Sequence, residues 1–180
     1  MVEAIQNACT MCHKGMPPEM ASPRAITGCL CMECLSRFGA GAGMPLMDFL
    51  DKLSVPVLAS DGDAVVSQTN KPMLALLGKK LSQVKGQRGG NVFECKYARL
   101  PGGCGHTVHC SGCAIRRAVV ETFTTGKSLH NVPAYLDRDM VTQALQLGLV
   151  ISTEKVWNMV LLRIDYIGPN QDPGRKSYSQ

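Results

Sequence analysis

The sequence predicts an α+β domain preceded by a small cysteine-rich element, and three observations lead to this prediction. Hydrophobic residues make up 45% of the 180 positions and charged residues 18%, so the chain can bury a core. Strand-like apolar runs lie on both sides of a segment with helical spacing. The nine cysteines fall into two groups, one before position 35 and one between positions 95 and 113.

The first predicted elements of the domain are a short helix and a β-hairpin. The amphipathic run MDFLDKL at 47–53 predicts the helix. The runs VPVLAS at 55–60 and AVVSQTN at 64–70 are rich in strand-forming residues, and the Asp-Gly-Asp sequence between them is typical of a turn. These segments therefore predict two adjacent antiparallel strands.

Two helices follow, and both have recognisable end signals. Asn70 can cap the helix KPMLALL, which has Pro72 in its first turn and Gly78 after its last residue. A longer helix is predicted to begin near Ala114, where apolar residues recur at helical spacing, and to end at Gly126.

The remaining strand signals lie around the second cysteine group and near the end of the sequence. The run NVFECKYA around Cys95 is strand-like, and LGLVIST at 147–153 and VWNMVLLRIDYI at 156–167 predict an antiparallel pair. The alternation over 156–167 predicts one long strand, buried on both sides at first and on one side later.

Composition divides the chain into four segments. Residues 1–38 form a Cys-rich element of the zinc-ribbon type, 39–43 a linker of small residues, 44–167 the main domain and 168–180 a polar, flexible tail. No apolar run is long enough to span a bilayer, and the first fifteen residues carry neither a basic leader nor an apolar segment. We therefore expect a cytoplasmic protein.

The first cysteine group predicts a structural zinc site. Cys9 and Cys12 form one C-x2-C pair, and Cys31 and Cys34 form another after an interval of eighteen residues. Each pair lets two sulfurs of a tight turn reach one ion about 2.3 Å away. Because this segment has little apolar content, metal binding would supply the stability that a core cannot.

Two other interpretations of the first group stay open. The segment could be a Cys-rich leader without fixed structure, or Cys9, Cys12 and His13 could form the C-x-x-C-H attachment site of a c-type haem. Haem attachment of this kind belongs to exported proteins, and the first residues carry no export signal. His13 is therefore expected to lie on the surface.

The second cysteine group also predicts a metal site, with Cys95, Cys104, Cys110 and Cys113 as its ligands. The glycines around Cys104 can adopt positive φ, which would let the loop turn its sulfur inward. Four thiolates suit zinc and an iron–sulfur cluster equally well. A reversible thiol–disulfide switch that uses Cys110 and Cys113 is the alternative, and ordinary buried thiols are a third interpretation.

Four further side chains are expected to support the second site. His106 and His109 lie between its cysteines, and each is expected to face solvent or to contact a ligand rather than to replace one. Arg116 and Arg117 follow the last cysteine, at the start of the predicted helix. Their charges and the helix N-terminus would favour the thiolate forms of the preceding cysteines.

Residues 44–167 resemble a PAS sensory domain. The resemblance lies in the order VPVLASDGDAVVSQTNKPMLALLGK, then a central helix, then a terminal hairpin ending in VLLRIDYI. It implies a single five-stranded antiparallel sheet flanked by helices, used for sensing, ligand binding or dimerisation and not usually for catalysis. The GCG-x4-C-x2-C segment is similar to an insertion in PAS domains of bacterial sensor proteins, usually with another cysteine upstream.

The first cysteine group resembles a short element attached to many bacterial PAS-containing and histidine-kinase proteins. In that element a Cys-x-x-Cys-His/Lys opening is answered by a closing Cys-x-x-Cys pair. Here the opening is CTMCHK from Cys9, and the closing pair ends at Cys34. The spacing of the closing pair leaves Cys29 as the spare cysteine.

These observations lead us to expect a stand-alone bacterial sensor module rather than an enzyme. It would act by binding a signalling partner or by forming a homodimer, through residues 44–53 or the sheet face. A thiol-based redox protein is the competing class.

The charge of the chain argues against a nucleic-acid partner. The formal net charge is +5, but two sites of four thiolates around a divalent ion would lower it to about +1. The basic residues also form no run, so a nucleic-acid-binding zinc ribbon is the less favoured alternative. Neither nucleic acid nor a membrane is expected as a partner.

Overall fold

The computed structural model describes residues 8–9, 11–16, 26–27, 30–39, 46–139 and 144–169. Its helices are α1 Met32–Gly39, α2 Leu46–Leu50, α3 Lys71–Leu77, α4 Leu81–Val84, α5 Gly89–Val92 and α6 Ala114–Thr125. Its strands are β1 Val57–Ser60, β2 Val66–Thr69, β3 Leu129–Asp139, β4 Ala144–Val156 and β5 Met159–Pro169. Two 3₁₀ turns, Lys96–Arg99 and Val108–Gly112, lie between α5 and α6.

Some predicted features lie outside the described residues. They are Cys29, residues 40–43 of the linker and residues 170–180 of the tail. Two predicted boundaries shift within the described residues: Gly39 belongs to α1 and β5 continues to Pro169, although the linker and the tail were predicted to begin at 39 and 168.

The five strands form one antiparallel sheet in the order β2-β1-β5-β4-β3. β4 and β5 form a long hairpin that pairs from Val156 and Met159 to Leu147 and Pro169. β1 pairs with β5, and β3 pairs with β4. Helices pack against the sheet. The predicted fold class, a five-stranded antiparallel sheet flanked by helices, is confirmed.

The predicted hairpin at the start of the domain is confirmed. β1 and β2 pair antiparallel, and the carboxylate of Asp61 accepts hydrogen bonds of 2.9 Å from the backbone N–H groups of Asp63 and Val65. This arrangement is an Asx turn, which satisfies backbone donors at the point where the chain reverses. The short helix predicted at 47–53 is α2, which covers Leu46–Leu50.

Asn70 caps α3 as predicted, and it also joins α3 to β1 and to the segment after α2. Its side-chain oxygen accepts hydrogen bonds from the N–H groups of Met73 (3.1 Å) and Val57 (3.0 Å). Its amide nitrogen donates to the carbonyls of Leu50 (3.0 Å) and Val55 (2.8 Å). The side chain is fully buried, so water could not replace these hydrogen bonds, and without them the backbone groups would be left unpaired.

The strand predicted over 156–167 begins later in the structure, at Met159. The alternation over 156–167 predicted a single strand, but Trp157 and Asn158 form the two-residue turn between β4 and β5. Trp157 has φ +51°, a left-handed backbone that suits a tight hairpin and not an extended strand. Alternation by itself does not reveal such a turn, because each side chain keeps its place in the pattern.

β3 was not recognised from the residues, although the resemblance implied five strands. Its sequence LHNVPAYLDRD contains Pro133, and Asn131 has φ +53° at an irregularity in the pairing with β4. β3 is an edge strand, where a proline costs no hydrogen bond with a second neighbour.

The strand predicted around Cys95 was also wrong. The chain there forms α5 and then a 3₁₀ turn, with Cys95 between them. Glu94 has φ +61°, which reverses the backbone just before the cysteine. Its carboxylate forms ion pairs with Lys79 and Arg138. Hydrogen bonds from Arg138 and, to a smaller extent, from Lys79 hold the pKa of Glu94 below its usual value.

Each face of the sheet contributes to its own apolar core. On the helix face, buried residues of the strands pack against α3 to α6, with Met73, Val119 and Ile151 among the fully buried side chains. On the opposite face, called the outer face here, Val57 and Leu161 pack against α2 and the N-terminal cysteine element. The described part of the N-terminal element therefore shares an apolar core with the sheet.

Candidate metal centres

The four N-terminal cysteines predicted to bind zinc form one compact group. The sulfurs of Cys9, Cys12, Cys31 and Cys34 all lie within 4.8 Å of one another. The Sγ atoms of Cys12 and Cys31 are 3.7 Å apart. Four ligands at about 2.3 Å in a tetrahedron have sulfurs about 3.8 Å apart, so the close spacing of these thiols suits a single metal ion.

Each C-x2-C pair has its own local scaffold. The first lies in a tight turn: the N–H of Cys9 donates to the carbonyl of Lys14 (2.8 Å), and the N–H of His13 donates to the carbonyl of Cys9 (2.9 Å). The second brackets the start of α1, with Cys31 just before the helix and Cys34 in its first turn. A helix N-terminus attracts negative charge and therefore favours thiolates.

The surroundings of the group agree with the prediction for His13. This side chain is exposed, as expected for a surface residue. A salt bridge of 2.8 Å between Lys14 and Glu33 joins the two halves of the site at the surface. Both side chains are more than half exposed, so we assign this ion pair little stability.

Burial and hydrogen bonding separate the pKa values of the N-terminal thiols. Burial and the neighbouring thiols of Cys12, Cys31 and Cys9 raise the pKa of Cys34 to about 12. Burial acts on Cys9 in the same direction, but hydrogen bonds from the backbone of Cys12, Cys31 and Met11 outweigh it and lower its pKa to about 6. Hydrogen bonding thus favours the thiolate of Cys9, and a central cation would offset the effects that oppose the thiolate of Cys34.

The N-terminal element is attached to the sheet by one carboxylate. Glu154 on β4 accepts hydrogen bonds from the N–H groups of Ile26 (2.6 Å) and Thr27 (3.1 Å), and from the Thr27 hydroxyl. Met16 and Leu30 are buried in the same apolar core as Leu161. Sequence reasoning did not identify Glu154; an acidic residue within the apolar stretch of β4 was the available signal.

The four central cysteines line one cavity. Its volume is about 290 Å³, and Cys95, Cys104, Cys110 and Cys113 all contribute to its wall. Within residues 46–139, where all four are described, they do not form a second set with sulfurs within 4.8 Å of one another. The central group is thus more open than the N-terminal one. All eight cysteines in the described part of the chain are free thiols.

Backbone and hydroxyl donors point at two of the central sulfurs. The N–H of Gly90 donates to Cys104 Sγ (3.2 Å), and the N–H of Gly105 donates to Cys110 Sγ (3.1 Å). The hydroxyl of Thr107 lies 3.2 Å from Cys110 Sγ. Gly105 has φ +92°, so the prediction that glycine lets this loop adopt positive φ is confirmed.

The central thiols differ in how readily they ionise. Burial raises the pKa of Cys95 and of Cys104. Burial also opposes ionisation of Cys110, but hydrogen bonds from Thr107 and Gly105 outweigh it and lower the pKa of Cys110. The loop therefore favours negative charge at the sulfur nearest its donors.

The predicted supporting residues divide into two pairs. His109 and Arg116 line the cavity, and the ring of His109 stacks on Tyr97 with a centroid distance of 3.9 Å. His106 and Arg117 are exposed and do not belong to the cavity wall. Arg116 contributes to the lowered pKa of Cys110, as predicted for a cation at this end of α6.

No family model and no curated protein matches this chain. Solved structures that it resembles include a photoactive yellow protein domain from a sensor histidine kinase of Rhodospirillum centenum, at 20% identity and TM-score 0.39, over 71% of this chain and 95% of that one. They also include a PAS domain from Desulfitobacterium hafniense, at 17% identity and TM-score 0.38, over 68% of this chain and 98% of that one.

A third similar structure is the PAS domain of a nitrogen regulation protein from Vibrio parahaemolyticus. Its identity is 13% and its TM-score 0.40, over 65% of this chain and 93% of that one.

Proposed function

We propose that this chain is a PAS-type sensor module that binds metal through two groups of four cysteines and acts through protein–protein contacts. The observation that carries the proposal is the compact N-terminal group, whose four sulfurs lie within 4.8 Å of one another. This group is packed against the same sheet that supports the central cysteines through α6 and β3. One sheet therefore connects both candidate metal sites.

Zinc at the N-terminal group would act as a structural ion. When bound, it supplies the cross-link that four thiolates of a small segment need in order to hold one fold. The element that it stabilises contributes Met16, Ile26 and Leu30 to the core on the outer face. A zinc-bound element would thus keep part of the outer face covered.

The central group would bind the second metal, zinc or an iron–sulfur cluster. Its position supports a sensory role, since Cys113 is the N-cap residue of α6. That helix contacts β3, β4 and β5, so a change at its N-terminus would act on most of the sheet. We assign the chain no catalytic role.

Contact with a second copy or another protein would use the part of the outer face that the N-terminal element leaves uncovered. Tyr135 on β3 and Tyr166 on β5 are 56% and 53% exposed. Tyr135 pairs with Gly148, which pairs with Gly168, and the Tyr166 hydroxyl lies over Gly168. Two tyrosines beside two glycines form an accessible aromatic surface suited to a protein interface.

The predicted interface at 44–53 is less available. Phe49 and Leu50 of α2 are 1% and 0% exposed, because α2 lies in the core between the sheet and the N-terminal element.

Within the described residues, none of the helices is long and apolar enough to cross a membrane. We propose neither nucleic acid nor a membrane as a partner. We propose a cytoplasmic location for the protein.

Two measurements test the proposal. Elemental analysis of anaerobically purified protein is expected to find the amount of metal that two sites per chain require, and a fully folded, metal-free protein would contradict the two-site model. If Cys110→Ser leaves the metal content unchanged while abolishing an intramolecular disulfide, the thiol-switch alternative is correct instead.

Sedimentation velocity tests the contact surface. We expect a concentration-dependent dimer that Tyr166→Ser weakens. Leu76→Ser, which changes an exposed side chain of α3, is the control and should leave the dimer unchanged. A protein that stays monomeric at every concentration would contradict self-association and would leave a different protein as the partner.

A further inference from the structure

We infer that the central cavity binds an iron–sulfur cluster and not a single zinc ion. The inference rests on the proposed metal binding by Cys95, Cys104, Cys110 and Cys113, and it specifies which inorganic group that site takes. Three observations distinguish this site from the N-terminal one: the spacing of its sulfurs, the space between them, and a buried donor at its wall.

The spacing of the sulfurs is the first observation. One tetrahedral ion needs four sulfurs about 3.8 Å apart. The N-terminal sulfurs all lie within 4.8 Å of one another, whereas the central four, within the described residues, do not. A cluster of four irons binds one thiolate at each iron and a cluster of two irons binds two at each, so the four sulfurs surround several metal ions and not one. The central cysteines are compatible with this wider spacing, because all four border one cavity without forming a group within 4.8 Å in the described residues.

The space between the sulfurs is the second observation. The cavity of about 290 Å³ has room for several atoms beyond the protein. A zinc ion bound by four thiolates leaves no such space, since the sulfurs contact one another around it. A cluster brings inorganic sulfides as well as iron, and it therefore fills a cavity of its own.

A buried donor at the wall is the third observation. Arg116 lines the cavity, and in the described part of the chain its Nε is buried without a hydrogen-bond acceptor. A side chain at Gly105 would approach this Nε to 3.3 Å, which places it beside the loop that carries Cys104 and Cys110. Inorganic sulfides of a cluster are acceptors that a zinc–thiolate site lacks, so a cluster could satisfy this donor.

The hydrogen bonds to the cysteine sulfurs agree with the same assignment. Gly90 and Gly105 direct backbone N–H groups at Cys104 and Cys110, and such bonds are among the features that set the potential of a cluster. A Cβ at position 90 would lie 2.7 Å from Cys104 Sγ, so the backbone approaches the sulfur closely there. The backbone at the cavity wall thus lies close to the cysteine sulfurs and donates hydrogen bonds to two of them.

The test is reconstitution of the full chain with ferrous iron and sulfide under anaerobic conditions, followed by counts of iron, acid-labile sulfide and zinc. We expect iron and sulfide in equal amounts, together with the broad visible absorption of thiolate-bound iron. Cys104→Ser should lose the iron, the sulfide and the absorption, whereas Cys9→Ser should keep all three.

Two results would overturn the inference in distinguishable ways. If Cys104→Ser loses one zinc per chain and the parent protein holds no sulfide, the cluster is wrong while the two-site sensor proposal stands. If the central cysteines of the parent protein bind neither metal, both are wrong.

A matched pair of arginine variants tests the same cluster without depending on whether the Cys104→Ser variant folds. Arg116→Gln should lose the visible absorption in air roughly tenfold faster than the parent, the effect of one lost hydrogen bond. Arg117→Gln, an exposed neighbour on the same helix, should behave like the parent. Equal rates for the two variants would contradict the contact between Arg116 and the cluster.

Discussion

The N-terminal cysteines lie close together in an element that packs against the outer face of the sheet, whereas the central cysteines surround a cavity near the start of α6. Both groups offer four thiols, which form two C-x2-C pairs in the N-terminal group and one such pair in the central group. They differ in the distance between sulfurs and in the donors that face them. Because the ligand type is the same in both groups, we infer that the space between the ligands selects the inorganic centre at each group.

The largest effect is expected from removing the N-terminal metal. Because a structural zinc contributes about 10 kcal/mol or more to the fold of a small element, Cys34→Ser or chelation should unfold the segment around α1. Hydrogen exchange should show loss of protection at Leu30, while the core around Val119 on the helix face stays protected. Equal loss in both regions would contradict the separation of the two cores.

The attachment of the N-terminal element to the sheet can be tested at Glu154. Glu154→Gln replaces the carboxylate that accepts hydrogen bonds from Ile26 and Thr27 with a neutral amide. We expect the free energy of unfolding to fall by about 2 kcal/mol. Urea denaturation would measure this change. Glu121→Gln, on the exposed side of α6, should change it little; a similar loss in both variants would speak against a specific role for Glu154.

Gly90→Ala sharpens the comparison at the central site. The added methyl group would press on Cys104 Sγ, and overpacking of this kind costs about 1–3 kcal/mol. We expect less metal at the central cysteines and an unchanged zinc content at Cys9 and its partners. Elemental analysis decides between this result and a loss at both sites, which would indicate general unfolding.

The smallest effect is expected from Thr107→Val. This variant removes the hydroxyl next to Cys110 Sγ but keeps the Gly105 N–H in place, so the cost should be about 1 kcal/mol. Central metal should be released slightly faster during chelator competition. Ser111→Ala is the control, because its hydroxyl bonds the Val108 carbonyl and no sulfur.

Sequence reasoning predicted the N-terminal site, since C-x2-C pairs define a ligand set by spacing alone. It also predicted the caps at Asn70, Gly78 and Gly126, because these depend on residues a few positions apart. It could not predict the contact between Ile26 and Glu154, which are 128 positions apart. Long-range contacts depend on how the sheet places its strands and not on local patterns.

Other features were missed because the local pattern was ambiguous. β3 contains Pro133 and an irregularity near Asn131, and these hide the period of a strand. Cys95 was recognised as a ligand candidate although the strand predicted around it was wrong. The sequence also predicted the same kind of four-cysteine site for both groups. The positions of cysteines in a sequence do not reveal the size of the cavity between their sulfurs.

The most direct test of the account is anomalous X-ray diffraction from anaerobically grown crystals of the full chain, with data at the zinc and iron absorption edges. We predict a zinc peak enclosed by Cys9, Cys12, Cys31 and Cys34, and iron peaks in the cavity lined by Cys95, Cys104, Cys110 and Cys113. A single zinc peak at each group, with no iron, would contradict the claim that the two groups bind different inorganic centres.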